Sequence, residues 1–340
     1  MIPYVLLTVA LVQQLSTNAE GQAVAWDDWW TYEGITGPQF WGLVNSDWVM
    51  CKDGKMQSPI NFRANQILYD PNLIPINFDS DTDKMNGTLL NTGHDLTFQV
   101  DDRNRVNLTG GPLSYLYRLQ ELRLHYGSID SQGSEHSVDG YSFPGELQLL
   151  FYNYDLYGDL AEATKGTSGL AIISLFIQIG NSTNPELDKL LWSDRLQNVT
   201  YKANQTSQPL QDKYGKLKGS AARVEDFNLT NLFPTTPHYM TYQGSLTSPD
   251  CAETVTWIVM NKPVYISRKK MNQLRNLWQN TMGQKETPLA DNFRPTSNLN
   301  SRTIRTNINF TTKDKMGKPC PTMKSKKAYQ TNSWLVKPTS

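Results

Sequence analysis

The sequence predicts a mainly β fold with few helices, carried by a single domain over residues 26–308. Three observations predict it. From residue 86 onward, short runs alternate apolar and polar side chains and are separated by turn-forming residues. Only one segment shows clear helical spacing. No internal repeat or break in composition divides residues 26–308, although 340 residues could also hold two domains of about 150 each.

Met1–Val12 is apolar and uncharged. It is too short to span a bilayer but suits the core of a secretory signal, expected over residues 1–25. Ala19, Ala23 and Ala25 offer small cleavage positions, while the usual early Lys or Arg is missing. Trp26 to Asn45 is dense in aromatics and reads as an irregular lead-in pinned by ring packing. Strands are expected at Thr88–Asn91, Leu96–Val100, Glu121–His125, Glu146–Leu150 and Thr254–Met260. Leu170–Ile179, interrupted by Ser174 and Gln178, reads as a buried strand and falls short of the roughly 18 apolar residues a membrane span needs. Ser267 can cap a helix in which Met271, Leu274, Leu277 and Trp278 share a face. Residues 309–340 hold seven lysines, one aspartate and three prolines, the composition of a basic flexible tail.

Composition narrows the function classes. Thirty-two basic residues balance thirty-two acidic ones, which argues against a whole-chain nucleic-acid binder. A hydrophobic fraction of 38% argues against wholesale disorder and against a polytopic membrane protein. Asn86, Asn107, Asn181, Asn198, Asn204, Asn228 and Asn309 each open a glycosylation sequon, and some of them should be occupied. With the signal-like start, they point to a soluble, secreted, extracellular glycoprotein with no membrane insertion. Three cysteines cannot make a dense scaffold and leave one thiol over. Any histidine metal site must draw on His94, His125, His136 and His238.

Period-two alternation puts Glu121, Arg123 and His125 on one strand face, and Glu146, Gln148 and Leu150 on one face of another. Between these strands lies Gly133-Ser-Glu-His-Ser-Val-Asp139. Together with Gln57-Ser-Pro-Ile-Asn61, Asn91-Thr-Gly-His94, Leu124-His-Tyr-Gly127, Tyr242-Gln-Gly-Ser-Leu-Thr-Ser-Pro249, Val255-Thr-Trp-Ile-Val259 and Asn292-Phe-Arg-Pro295, these motifs carry a resemblance to the α-class carbonic anhydrases. The resemblance covers residues 29–308. It implies a large, mostly antiparallel, twisted central sheet with a few short surface helices.

The resemblance also locates a zinc site of three histidines, and those positions hold Arg123, His125 and Gln148 here. Catalytic zinc needs three protein ligands with lone pairs and an open fourth position. Arg123 is a fixed cation, and Gln148 offers only a neutral amide oxygen. Without the metal nothing lowers the pKa of water from about 15.7 to near 7, so hydration of carbon dioxide is not expected, nor is any cofactor. By resemblance, His94 stands at the proton-shuttle position, His136 beside the gatekeeper glutamate, and His238 in no motif. Glu135 and Thr247 match the pair that orients the nucleophile. Leu150, Ile172, Leu246, Val255 and Trp257 match the apolar wall, with Leu150 and Ile172 narrowing it. Arg123 is expected to replace the metal as a cation, balanced by Glu121, Glu146 or Glu135.

Secreted relatives join cysteines at the positions of Cys51 and Cys251. Cys320 then remains for an intermolecular or mixed disulfide, or as an incidental free thiol. Within the family the chain looks like the acatalytic carbonic-anhydrase-related proteins of the X and XI type. That likeness implies a neuronal ligand of cell-surface proteins, neurexins among them. The alternatives are a residual metal-dependent carbonate dehydratase or esterase with a non-standard zinc site, and an acidic-glycan binder acting through the lysine-rich tail.

Overall fold

Alternating side chains become the two faces of one large sheet. In the computed structural model, which describes residues 30–80, 84–199, 210–211, 217–218, 221–279 and 287–309, thirteen strands join in a single mixed sheet. Its central strands are β1 (Met85–Asn91), β2 (Leu96–Val100), β3 (Tyr117–Tyr126), β4 (Gly145–Asn153), β5 (Leu170–Gly180), β6 (Ala221–Phe227), β7 (Tyr239–Gly244) and β8 (Val255–Met260). They lie in the order β6-β1-β2-β3-β4-β5-β8-β7, continued by Ile304–Thr306 and Ile67–Tyr69. Most neighbours run antiparallel. Parallel pairing joins β5 to β8, β5 to Val264–Ser267, and Ile304–Thr306 to Ile67–Tyr69. Each predicted strand is present, and most run longer than the alternating pattern that announced them.

All nine residues of β4 are buried, which places this strand at the centre of the sheet. On one face Leu122, Leu124, Leu147, Leu149, Phe151, Ile173 and Leu175 belong to the larger apolar cluster. On the other, Leu150, Ile172, Trp257 and Val259 form a second cluster. Each such side chain contributes about 1.5–3 kcal/mol by leaving water. The second face also carries the strand-borne polar side chains of the candidate site, so its apolar cluster is the wall of that site.

Short helices cover both clusters: α1 (Leu160–Lys165) packs on the second, and α2 (Pro185–Leu190), α3 (Ser193–Val199) and α4 (Arg268–Arg275) pack on the larger. Ser267 caps α4, its hydroxyl accepting from the backbone N–H of Lys270 at 3.3 Å. The helix is shorter than its apolar spacing suggested. The backbone N–H of Asn276 closes it by donating to the carbonyl of Gln273, and that of Leu277 donates to the carbonyl of Leu274. Leu277 is buried just beyond that end, and Trp278 pairs with Pro288 instead of continuing the helical face.

The lead-in is pinned as its aromatics suggest. Trp30, Tyr32 and Trp41 pack edge to face with centroids 5.2–6.0 Å apart. Cys51 and Cys251 form a disulfide across a sequence separation of 200, with Cα atoms 5.0 Å apart. Closing a loop of that size removes denatured-state entropy worth about 5 kcal/mol. Residues 1–25, Trp26, Trp29, Asn204 and Cys320 lie outside the described residues, as does the tail from residue 310 onward.

Candidate functional site

Register brings the key side chains together. Arg123 on β3 lies opposite Gln148 on β4, and His125 lies opposite Glu146. Across the other edge of β3, Thr97 faces Arg123. The three positions assigned to zinc by resemblance thus share one patch of one face. A loop between β3 and β4 brings in Glu135. Gly133 makes its turn possible, with φ +141° and a backbone so close to the carbonyl of Pro144 that no Cβ fits.

Arg123 is held as a paired cation. Its Nε donates to Glu121 Oε1 at 2.7 Å, Nη2 lies 2.6 Å from the same oxygen, and Nη1 donates to Ser248 Oγ at 3.3 Å. Burial pulls its pKa down, but the charges of Glu121 and Asp95 outweigh burial and hold it above its ordinary value. Of the three carboxylates the sequence offered as its partner, Glu121 is the one that bonds it. Two residues apart on one strand face is the shortest route between them. Glu135 and Glu146 are bound to other groups.

Gln148 is what binds them. Its Nε2 donates to Glu135 Oε2 at 2.6 Å and to Glu146 Oε1 at 3.0 Å. The amide therefore turns its donor, not its lone pairs, toward the centre of the site. Glu135 Oε1 accepts the backbone N–H of Arg294 at 3.0 Å, so its oxygens serve Gln148 and Arg294 rather than Thr247. Glu146 also accepts the backbone N–H of His136 at 2.8 Å and meets His136 Nδ1 at 2.9 Å. Burial alone would raise the Glu146 pKa; the charge and hydrogen bonds of His136 reverse that and hold it at about 2. His136 continues through Nε2 to the Tyr242 hydroxyl at 2.7 Å, which donates to Ser58 Oγ at 2.9 Å. This buried chain ties β4 to β7.

His125 is buried with Nδ1 2.6 Å from the backbone carbonyl of Asn292. A carbonyl only accepts, so Nδ1 carries the proton of that bond. Nε2 is left without a hydrogen-bond partner, 3.7 Å from Glu135 Oε2.

The remaining expected residues have distinct places. His94 is half-buried and stacks on Trp30, centroids 3.8 Å apart. Thr247 is buried nearby. Leu150, Ile172, Leu246, Val255 and Trp257 all belong to the wall cluster, with Ile172 paired to Leu150 on one side and Trp257 on the other. His238 lies outside the site, at the start of β7, where its carbonyl accepts from Asn261. Four contributors escaped the sequence reading as site residues. Ser248 and Asn292 act through a hydroxyl and a main-chain carbonyl. Buried Arg294 holds the segment that follows the lead-in by donating to Gln57 Oε1 at 2.9 Å, the Ser58 carbonyl at 2.8 Å and the Cys51 carbonyl at 3.1 Å. Tyr32 is pushed well above the ordinary phenol range by burial and by the charges of Glu135 and Asp95. Asn292 and Arg294 sat within a quoted motif that gave no hint of these contacts.

This donor set does not fit zinc. Arg123 brings a positive charge already paired to Glu121, and Gln148 presents amide hydrogens. Only His125 offers a nitrogen lone pair, against the three ligands required. Among the described residues no group of three His, Cys, Asp or Glu side chains is placed to hold a metal ion.

Comparison with known proteins agrees with the architecture. The family model described as eukaryotic-type carbonic anhydrase matches residues 36–308. Carbonic anhydrase-like protein 2 of Caenorhabditis elegans is 38% identical over 299 residues, which are 85% of this chain and 82% of that protein.

Proposed function

The chain belongs to the eukaryotic-type carbonic anhydrase family, and we propose that it is a catalytically silent member, secreted and glycosylated, that serves as an extracellular ligand for a cell-surface protein. The observation that carries the silent part is the pairing of Arg123 with Glu121, directly opposite a Gln148 whose amide hydrogens are spent on Glu135 and Glu146. A hydration site needs a hydroxide at neutral pH, and a metal makes one by lowering the pKa of bound water. Here a guanidinium stands in place of a ligand, and a guanidinium neither binds a metal nor takes a proton from water. The wall packs one face of the sheet, and the carboxylates of Glu135 and Glu146 bond Gln148, Arg294 and His136 there.

Secretion rests on the signal-like start, the sequons and the Cys51–Cys251 disulfide, which suits an oxidising compartment. A receptor of the neurexin type is the partner the X and XI likeness suggests, with Cys320 as the candidate for a covalent link and the basic tail for acidic-glycan contact. The competing reading, a hydratase or esterase with a rearranged metal site, has the bare Nε2 of His125 in its favour.

Elemental analysis of the purified chain, run with a carbon dioxide hydration assay, separates the two. We expect no stoichiometric zinc and no rate above buffer. One zinc per chain with accelerated hydration would overturn the silent reading. Arg123→His combined with Gln148→His should regain zinc; failure would mean that ligand loss is not the only defect. Capture from neuronal cell surfaces, resolved with and without reductant, tests the partner. A covalent complex that survives Cys320→Ser would refute the assigned link.

A further inference from the structure

Three asparagines that open sequons also hold the fold, and all three do so with the same half of the amide. Asn86 Oδ1 accepts the backbone N–H of Asp226 at 2.9 Å. Asn107 Oδ1 accepts from Arg118 Nε at 3.3 Å. Asn228 Oδ1 caps the short helix Leu229–Leu232 by accepting the backbone N–H of Asn231 at 3.0 Å, and it takes the Thr230 hydroxyl at 2.7 Å. Each of these interactions includes an N–H donor, so the amide oxygen is the atom that must face it. Among the described residues the three Nδ2 atoms have no protein partner, none is a buried unpartnered atom, and all three asparagines are partly exposed. Other asparagines behave differently. Asn91, Asn153, Asn184, Asn292 and Asn307 all donate Nδ2 to main-chain carbonyls, and none of them opens a sequon.

Nδ2 is the atom that N-linked glycosylation modifies. The donor is an oligosaccharide on a lipid diphosphate. The Nδ2–C1 bond forms as the bond from C1 to the phosphate oxygen breaks, the lipid diphosphate departs, and the amide gives up one proton. The product is still an amide, and its Oδ1 still accepts. A glycan on Asn91 would instead crowd an Nδ2 that bonds the carbonyls of Val199 and Trp278 at 3.1 and 2.7 Å.

We propose that Asn86, Asn107 and Asn228 carry N-linked oligosaccharides while their Oδ1 atoms stay in the fold. This rests on the secretory reading above. Two of the sites also share a place. Asp226, whose N–H bonds Asn86, lies two residues before Asn228 at the C-terminal end of β6, one of the two strands that end the sheet order among the described residues. Sugars there would add to the cover that Arg195 and Lys189 already give the edge carbonyls of Arg223 and Asp226.

The test is expression of the full chain in secreting eukaryotic cells, followed by enzymatic glycan release in heavy-oxygen water, which returns each occupied asparagine as a labelled aspartate. Label at Asn86, Asn107 and Asn228 is the expected result. Label confined to the exposed Asn181 and Asn198 would overturn the amide criterion and leave the secretory reading standing. No label anywhere overturns the proposal too, and whether the chain is found in medium or in cells then decides if the secretory reading falls with it. A pair of variants reads the cap separately. Asn228→Asp should lose one glycan-sized step of mass while keeping the melting temperature of the parent trimmed by an endoglycosidase to single sugars on intact asparagines, and Asn228→Ala should lose both. An Asp variant that melts as low as the Ala variant would refute the dual role.

Discussion

Replacing Glu121 with Gln tests whether Arg123 is a paired cation or merely a tolerated one. The two groups meet at 2.6–2.7 Å, with the Glu121 side chain 10% exposed and that of Arg123 26% exposed. Unit charges about 4 Å apart interact by about 4 kcal/mol at an effective dielectric of 20. Part of that is screened through the exposed quarter of Arg123, and the glutamine of the variant would still offer Nε an amide oxygen. A loss of about 2 kcal/mol remains, within the range for hydrogen bonds to charged groups. Arg123→Met removes the cation and leaves an apolar side chain of similar length. In that background Glu121 is an unpaired, buried anion, so Glu121→Gln should be neutral or stabilising. The coupling in the double-mutant cycle is then about 2 kcal/mol or more. Denaturant midpoints followed by tryptophan fluorescence give all four stabilities. Equal costs in both backgrounds would refute the pairing and return Arg123 to Asp95 or to solvent.

The buried Glu146 should govern the acid limb of stability. Its carboxylate has an ordinary pKa of 4.5 and is held at about 2 in the fold, a stabilisation of about 3 kcal/mol that is complete above 4.5 and lost as pH falls toward 2. Glu146→Gln should lower stability at neutral pH and flatten the profile between those values; an unchanged acid slope would contradict this. Cys51→Ser with Cys251→Ser should cost about 5 kcal/mol, read as a fall in melting temperature that reductant no longer deepens. Reductant that lowers the double variant as much as the parent would place the stabilising bond elsewhere. Gly133→Ala puts a side chain at φ +141° and against the Pro144 carbonyl, so it should cost at least about 2 kcal/mol. A variant of unchanged midpoint would show that the Glu135 loop gives way freely.

The sheet was legible because a half-buried strand writes its two faces into the sequence at period two. Glu121, Arg123 and His125 could be placed on one face before any coordinates, and so could Glu146 and Gln148. Which carboxylate balances Arg123 was not legible, since three were within reach and only register and side-chain direction separate them. The Gln148 amide could equally have turned its oxygen inward; two carboxylates waiting across the face decide that it donates. Main-chain contacts leave no residue signature, so neither the grip of the Asn292 carbonyl on His125 nor that of the Arg294 N–H on Glu135 was foreseeable. The end of α4 was misplaced for a similar reason. Leu277 and Trp278 keep the helical spacing of apolar residues, but Asn276 breaks the backbone before them.

On the silent reading proposed above, the coupling inside the site makes three histidines hard to restore. On any path between this arrangement and one with three histidines, Arg123→His alone strands Glu121 as a buried anion without its cation. Gln148→His alone takes from Glu135 and Glu146 the amide they share. Each single step lowers stability, and neither yields a third ligand, so no gain in chemistry offsets the loss. The two exchanges have to arrive together, or behind a change that first removes the charge of Glu121. On that reading, a pair of local hydrogen-bond choices works as a ratchet, which holds the fold in use while closing the way to a three-histidine site.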